Sequence, residues 1–208
     1  LLNKLLPQIA DEGLADFIDA FCETGYFSVD ETKRIIEAGA KYNLPAKIHV
    51  NQFNITGGIQ ACTSLGARSV DHLEVVDDND IVAQKNSNTM PVALPGCSMF
   101  IRIPYTPART IIDNGLPLAI ASDFNPGTCP TGNMNMILSL ACINLRMLPE
   151  EAINAATING AYAMDVADTL GSIAVGKKAN LIITKPVSSL AYLPYAYGSN
   201  NIERVVIS

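Results

Sequence analysis

Short apolar runs alternate along the chain with segments in which apolar residues recur at helical spacing. Five runs, each bounded by polar or turn residues, predict strands: FIDAFCE, AKIHV, SVDHL, TMPVALP and PLAIASD. They are nearly continuous in apolar residues, as is typical of parallel strands that helices cover on both faces. A segment of helical character follows each run, so the pattern predicts five β–α units in series.

Two of the first four predicted helices carry a start or a stop signal. Ser28 and Glu31 form a capping-box pattern that begins a helix ending near Tyr42. Shorter helices are predicted over residues 58–65, over NDIVAQKN, and over PARTIIDNG, which ends at Gly115. The pattern thus places one helix after each of the first four strands.

Two longer segments predict helices after the fifth strand. Apolar residues recur at helical spacing from Met134 to Leu145, with Thr131 as the predicted N-cap. LPEEAINAATINGAYAM predicts one further helix, with Pro149 and two acids in its first turn. The later segment AYLPYAYGSN, rich in aromatic residues, predicts a loop.

Serial β–α units with right-handed crossovers form either an open doubly wound sheet or a closed barrel. Five units cannot close an eight-stranded barrel, so a barrel requires about three further units. The chain begins in an amphipathic helix with no strand before it and ends in a strand, NNIERVVIS, with nothing after it. Both ends therefore lead us to expect a piece of a longer protein.

Composition indicates a globular chain with a sizeable core. Of the 208 residues, 49% are hydrophobic and 16% are charged. The formal charge of −6 and the lack of a basic stripe argue against a nucleic-acid role, and no apolar run approaches the length of a membrane span. No signal peptide opens the chain, and five cysteines without CxxC spacing predict reduced thiols in a cytoplasmic protein.

Four polar residues fall at the carboxyl ends of different predicted strands: Glu23, His49, His72 and Asp123. Active sites of α/β barrels are built at this end of the strands. Taken singly, each histidine is a core or loop residue as readily as a ligand, and an aspartate there is usually the N-cap of the next helix. Their shared register favours one pocket, where two imidazoles and a carboxylate suit zinc or iron.

Several segments resemble the imidazolonepropionases, members of the metal-dependent amidohydrolase superfamily. The resemblance covers essentially the whole chain and is carried by FCETGYFSVDETKRIIEAG, KIHVNQF, SVDHL, ALPG, ASDFNPGTCPTGNM, GSIAVGKKANLIIT and YLPYAYGSNNIERVVIS. It implies an α/β fold in which residues 1–170 form about five units of a (β/α)8 barrel and residues 171–208 form part of a small β-domain. It also implies cytoplasmic hydrolysis of the cyclic amide 4-imidazolone-5-propanoate to N-formimidoyl-L-glutamate, in histidine degradation, by a homodimer.

The resemblance assigns roles to four residues near the strand ends. His49 and Asp123 match ligands of one zinc or iron ion, and Asp123 also matches the residue that takes a proton from the attacking water. His72 matches a catalytic histidine beside the metal. Gln52 matches a position that contacts the substrate or the water, although an amide cannot act as a general base.

A loop after the fifth strand matches the family's substrate-binding segment. SDFNPGT turns abruptly after an apolar run, and Asn125, Gly127 and Thr128 match the residues that hold the substrate. The resemblance implies that Asp123 ends the strand because the metal and the substrate meet at this end of the barrel. From the residues alone, the alternative is a capped β–α turn.

The family's first-strand HxH motif, which supplies two further metal ligands, does not occur in this sequence. Two ligands bind a metal far more weakly than four, so we expect the C-terminal portion of an enzyme, inactive by itself.

Two alternatives stay open: another cyclic amidase or deaminase of the superfamily, and a non-catalytic half-barrel. Activity against a panel of substrates would distinguish an imidazolonepropionase from the first alternative. An HxH motif encoded before Leu1 in the same reading frame would argue against the second. Thiol chemistry at Cys97 or Cys129 has no basic partner beyond the two histidines. Glu23 is expected either to orient a neighbour or pair with a lysine, or to have a purely structural role.

Overall fold

The apolar runs form parallel strands in chain order. A computed structural model describes residues 1–208, which divide into two compact units, Leu1–Val92 and Ala93–Ser208. The strands are β1 Phe21–Cys22, β2 Lys47–Val50, β3 Ser69–His72, β4 Met90–Ala93, β5 Ala119–Ile120, β6 Leu181–Thr184 and β7 Ile202–Val206. The helices are α1 Leu5–Asp11, α2 Val29–Ala40, α3 Gly58–Ser64, α4 Asp78–Lys85, α5 Pro95–Ile101, α6 Ala108–Asp113, α7 Met134–Ile143, α8 Pro149–Ala156, α9 Ile158–Ala163 and α10 Tyr192–Tyr195.

The five-stranded sheet has the order β1-β2-β3-β4-β5. The pairs β1–β2, β2–β3 and β3–β4 are parallel, and a helix lies between successive strands in the chain. This confirms the predicted α/β class with consecutive parallel strands of a partial barrel. β1 and β5 are only two residues long, although the apolar runs that contain them have seven.

Side chains of β2 alternate between the core and the opposite face of the strand. Ile48 and Val50 are fully buried, whereas Lys47 and His49 are half-buried. Gly58 at the start of α3 allows this packing, because a Cβ there would lie 2.5 Å from Val50 Cγ2. The alternation places His49 on the face of β2 that is turned away from its helix.

The capping box predicted at Ser28 is present, and α2 begins at Val29. Ser28 Oγ accepts a hydrogen bond from the Glu31 amide at 3.3 Å, and the Glu31 carboxylate accepts one from the Ser28 amide at 2.9 Å. Asp77 and Asp80 form an equivalent box at the start of α4, which the sequence analysis missed.

Two predictions in the second unit were wrong. The N-cap of α7 is Asn133, whose side chain accepts from two helix amides, while the side chain of Thr131 accepts from the Asn133 amide, before the helix begins. The predicted last helix is two helices, α8 and α9, which break at Thr157 where φ is −117° and ψ is −88°. The break allows Asn159 Nδ2 to donate to the carbonyl oxygen of Leu118 at 2.9 Å.

Two further helices were not predicted. α5 begins with Pro95 at its first position, directly after β4, and its Gly96 packs so closely that a Cβ would lie 2.7 Å from Cys129 Sγ. The segment predicted as a loop near residue 194 contains the short helix α10. Buried Pro194 in this helix accepts a hydrogen bond from Ser139 Oγ at 2.7 Å, so tertiary packing fixes a segment with little helical propensity of its own.

Strands β6 and β7 pair antiparallel in a separate two-stranded sheet. Their pairing runs from Leu181 opposite Val206 to Thr184 opposite Ile202. The predicted domain boundary near residue 170 stays a prediction. None of the helices combines the length and the apolar character that crossing a membrane requires.

Glu23 anchors the loop between β2 and α3. Its side chain is 2% exposed, and its two carboxylate oxygens accept hydrogen bonds from the amides of Thr24, Phe53 and Asn54 and from Asn54 Nδ2, at 2.8–3.2 Å. Burial acts to raise the pKa of Glu23, but the hydrogen bonds from Phe53, Asn54 and Thr24 outweigh it, and the pKa is lowered. The ionised carboxylate therefore stabilises this loop.

We expect Glu23→Gln to destabilise the chain near neutral pH by about 1–3 kcal/mol, because an amide nitrogen would face backbone donors. A lowered pKa means that the stabilisation is present above the pKa of the unfolded state, near 4.3, and is lost as pH falls through the lower folded value. The difference in unfolding free energy between wild type and variant should therefore shrink in acid. Urea unfolding across pH tests this, with Glu37→Gln on the exposed face of α2 as the control. A difference that is constant with pH would contradict it.

Candidate functional site

The two histidines lie at the ends of neighbouring strands in the first unit. His49 is on β2 and His72 ends β3, with their ring centroids 5.2 Å apart. The ring of Phe21 on β1 lies 6.4 Å from each. His72 and Leu73 have φ of 89° and 62°, a left-handed conformation that is rare for such residues and turns the chain sharply at the strand end. The structure therefore brings together the two histidines that the sequence analysis singled out.

Each histidine has a carboxylate at its Nδ1 atom. His49 Nδ1 lies 2.9 Å from Asp19 Oδ1, and His72 Nδ1 lies 3.3 Å from Glu74 Oε1. The second pair is buried, with His72 at 3% and Glu74 at 4% exposure. Histidines that bind metals commonly place their other ring nitrogen against such an acceptor. The pairing therefore orients both imidazoles in the way that metal sites do.

Sequence reasoning missed both carboxylates. Asp19 interrupts the apolar run FIDAFCE, and a charged residue inside such a run was a signal that could have identified it. Glu74 follows SVDHL by one residue and lies just after the left-handed turn. A turn of this kind is set by tertiary packing, so the position of Glu74 does not follow from the sequence pattern.

A polar row continues along the same face of β2 and β3. Lys47 Nζ donates to Ser69 Oγ at 2.7 Å, and Ser69 Oγ donates to Asp71 Oδ1 at 2.7 Å. Lys47 pairs in register with Ser69, and His49 with Asp71. Burial raises the pKa of Asp71, and the Lys47 ammonium opposes that shift. The row links the two strands that carry the histidines.

Gln52 is buried and is held from both sides. The preceding residue, Asn51, has φ of 55°, and its Nδ2 donates to Val75 O at 3.1 Å and to Asp80 Oδ2 at 3.0 Å. The next two residues donate their amides to Glu23. Glu23 thus fixes the segment that carries Gln52. The contacts of Glu23 therefore give this residue a structural role.

In the second unit, Asp123, Asn125, Gly127 and Thr128 form one hydrogen-bonded loop after β5. Asn125 Oδ1 accepts from the amides of Gly127 at 2.9 Å and Thr128 at 2.7 Å. Asn125 Nδ2 donates to Asp123 O at 2.8 Å, and Thr128 Oγ1 donates to Asp123 Oδ2 at 3.2 Å. The loop is therefore organised around Asn125 and directly contacts the carboxylate of Asp123.

The strained position in this loop is Asp123 and not the glycine. Asp123 has φ of 54°, whereas Gly127 is outside the left-handed region, and a Cβ added there would meet only Asn125 Oδ1, at 3.4 Å. Left-handed conformations of non-glycine residues occur often at functional sites, where the surrounding structure holds them in place.

The cysteines near the strand ends offer little for thiol chemistry. Cys97 and Cys129 are buried, with exposures of 0% and 1%. Burial raises the pKa of the Cys129 thiol, and the nearby charge of Asp123 acts in the same direction. A raised pKa keeps this thiol protonated near neutral pH, where the thiolate would be the nucleophile.

The chain is similar along its whole length to curated proteins named imidazolonepropionase. It is 61% identical over 207 residues to the one from Flavobacterium johnsoniae, covering 100% of this chain and 50% of that protein. It is 58% identical over 208 residues to the one from Christiangramia forsetii, covering 100% of this chain and 51% of that protein. The chain therefore spans about half the length of the curated relatives it matches.

Solved structures share the fold at low sequence identity. A zinc-bound adenosine deaminase from Xanthomonas campestris superposes with a TM-score of 0.82 at 18% identity, covering 98% of this chain and 54% of that one. Ochratoxinase from A. niger superposes with a TM-score of 0.75 at 20% identity, covering 100% of this chain and 53% of that one. At such identities the likeness concerns the fold alone.

A family model settles the classification. The model described as Amidohydrolase family matches residues 10–208, which is nearly the whole chain. The match includes all strands of both sheets and every candidate site residue named above. The chain belongs to the amidohydrolase family.

Proposed function

We propose that this chain is the C-terminal part of an imidazolonepropionase, a cytoplasmic, homodimeric enzyme of histidine degradation that binds one zinc or iron ion. Its reaction would be the hydrolysis of the cyclic amide 4-imidazolone-5-propanoate to N-formimidoyl-L-glutamate. The observation that carries the proposal is the pair of neighbouring imidazoles, each with a carboxylate at Nδ1. The relatives of about 60% identity support the choice of substrate.

The residues present suit a zinc or iron ion. Imidazole nitrogens and carboxylate oxygens are common ligands of both metals. Because Asp19 lies at Nδ1 of His49, the ligating atom of that residue would be Nε2. We therefore propose His49 and Asp123 as ligands supplied by this chain, with His72 beside the metal and not bound to it.

When bound, the metal supplies Lewis acidity, which lowers the pKa of water from about 16 towards 7 and so provides a nucleophile at neutral pH. Asp123 would take a proton from the attacking water and return it to the ring nitrogen as the C–N bond breaks. His72, whose Nδ1 lies against Glu74, would donate a hydrogen bond from Nε2 to the oxygen that gains negative charge when both ring nitrogens carry a proton, a contribution of roughly 3 kcal/mol. Gln52, as an amide, would orient the substrate or the water without taking a proton.

The loop of residues 123–128 would hold Asp123 in its left-handed conformation and bind the substrate. Asn125, Gly127 and Thr128 are our proposed substrate-binding residues, with Gln52 from the first unit. Since Asn125 already bonds the loop together, it would act on the substrate through the loop's shape as well as by direct contact.

In the longer protein that carries this chain, we expect His49→Ala and Asp123→Ala each to remove most of the bound metal, because each deletes a ligand. His72→Ala should retain much more metal yet lose activity, because its proposed role is hydrogen bonding to the substrate. Elemental analysis after dialysis, together with hydrolysis rates, measures both effects and identifies the metal. Full metal retention in both ligand variants would reject the proposed site.

For Asn125→Ala in the same protein, we expect kcat/KM to fall roughly ten- to a few-hundred-fold, corresponding to about 1.5–3 kcal/mol, with metal content near that of wild type. Asn133→Ala is the matched control, since Asn133 also accepts from two backbone amides but caps α7. The control should lose about 1 kcal/mol of stability and keep its kinetics. If Asn125→Ala had the kinetics of wild type, the loop would be only a capped turn, and its proposed role in binding the substrate would be wrong.

A further inference from the structure

We propose that Asp19 is a positioning residue for His49: its carboxylate accepts a hydrogen bond from Nδ1–H and so directs Nε2 towards the metal. This inference rests on the proposed function, in which His49 is a metal ligand. The contact that carries it is the 2.9 Å distance between Asp19 Oδ1 and His49 Nδ1. The two residues are 30 positions apart in the chain, so the strand pairing brings them together.

Backbone hydrogen bonds on both sides of Asp19 fix its position. The Lys47 amide donates to Ile18 O at 3.0 Å, and the His49 amide donates to Ala20 O at 3.1 Å. Phe21 pairs in register with His49, and Asp19 precedes Phe21 by two residues. Because side chains alternate along a strand, Asp19 and Phe21 point to the same side as His49.

Two other charged groups, Lys47 and Asp71, lie on this face. Lys47 Nζ donates to Ser69 Oγ and lies 5.7 Å from the centroid of the Phe17 ring. Asp71, which pairs in register with His49, accepts from Ser69 Oγ. Asp71 and His49 also interact electrostatically, so the assignment of Asp19 rests on its own contact, the 2.9 Å between Asp19 Oδ1 and His49 Nδ1.

A neutral imidazole carries one N–H and one lone pair, so an acceptor at Nδ1 determines which nitrogen binds a metal. A carboxylate there also restrains the ring's rotation and increases the basicity of the ligating nitrogen. The alternative is an ordinary surface ion pair that contributes little to stability and does not affect the metal. The side chains of His49 and Asp19 are 34% and 50% exposed, as in such pairs. The two possibilities differ in what removal of Asp19 does to the tautomer and to the metal.

The first test is the tautomer of His49 in the metal-free longer protein, measured by proton–nitrogen correlation NMR at mildly alkaline pH. Comparison with His49→Ala assigns the signals of this residue. We expect the Nδ1–H form in wild type, its retention in Asp19→Asn, which keeps an acceptor oxygen, and a shift towards the Nε2–H form in Asp19→Ala. A tautomer ratio that Asp19→Ala leaves unchanged would overturn the inference.

The second test is zinc affinity in the longer protein, measured by competition with a chelator. Asp19→Ala should weaken zinc binding about 10- to 100-fold, and Asp19→Asn should weaken it less. Asp30→Ala is the charge-matched control, because it removes an acid with a 92% exposed side chain that pairs with Lys33, and it should bind zinc as wild type does.

Equal zinc affinity in Asp19→Ala and wild type would overturn the inference while leaving the proposed function intact. A wild-type protein that binds neither zinc nor iron would instead contradict the proposed function. In that case Asp19 could not position His49 for a metal, even if the tautomer measurement confirms the contact between the two residues. The two failures are therefore distinguishable.

Discussion

The parallel register of β1, β2 and β3 determines which side chains reach the candidate site. On β2 it sends Ile48 and Val50 into the core and leaves His49 on the other face with Lys47. A slip of one residue would reverse every side chain on the strand, burying the imidazole and exposing two apolar residues. Burial of the apolar face, the strongest stabilising term available to such a strand, thus also places the histidine.

Buried polar groups then fix the loops that follow these strands. Glu23 accepts four hydrogen bonds and holds the chain beyond Gln52, and Asn51 ties the same turn to Asp80 at the start of α4. Each of these groups would be costly to bury without its partners. In the second unit, Asn125 has the corresponding role for the loop that carries Asp123. Both units therefore use internal hydrogen bonds to hold the loops that carry Gln52 and Asp123.

The sequence predicted features that depend on local chemistry and missed those that depend on packing. The capping box at Ser28 and the strand containing His49 followed from residue type and spacing alone. The Thr157 break and α5 were missed, because a close contact of Gly96 or a hydrogen bond from Asn159 leaves no periodic signal. Asp19 does interrupt an apolar run, but its contact with His49 appears only when the segment before β1 lies beside β2.

The most direct measurement is an anomalous X-ray diffraction experiment on crystals of the longer protein, with data at the zinc and iron absorption edges. Our account predicts one metal peak about 2.0–2.1 Å from His49 Nε2, with the Asp123 carboxylate also coordinated and Asp19 still bonded to Nδ1. A metal coordinated through His49 Nδ1, or a metal bound without either His49 or Asp123, would contradict it.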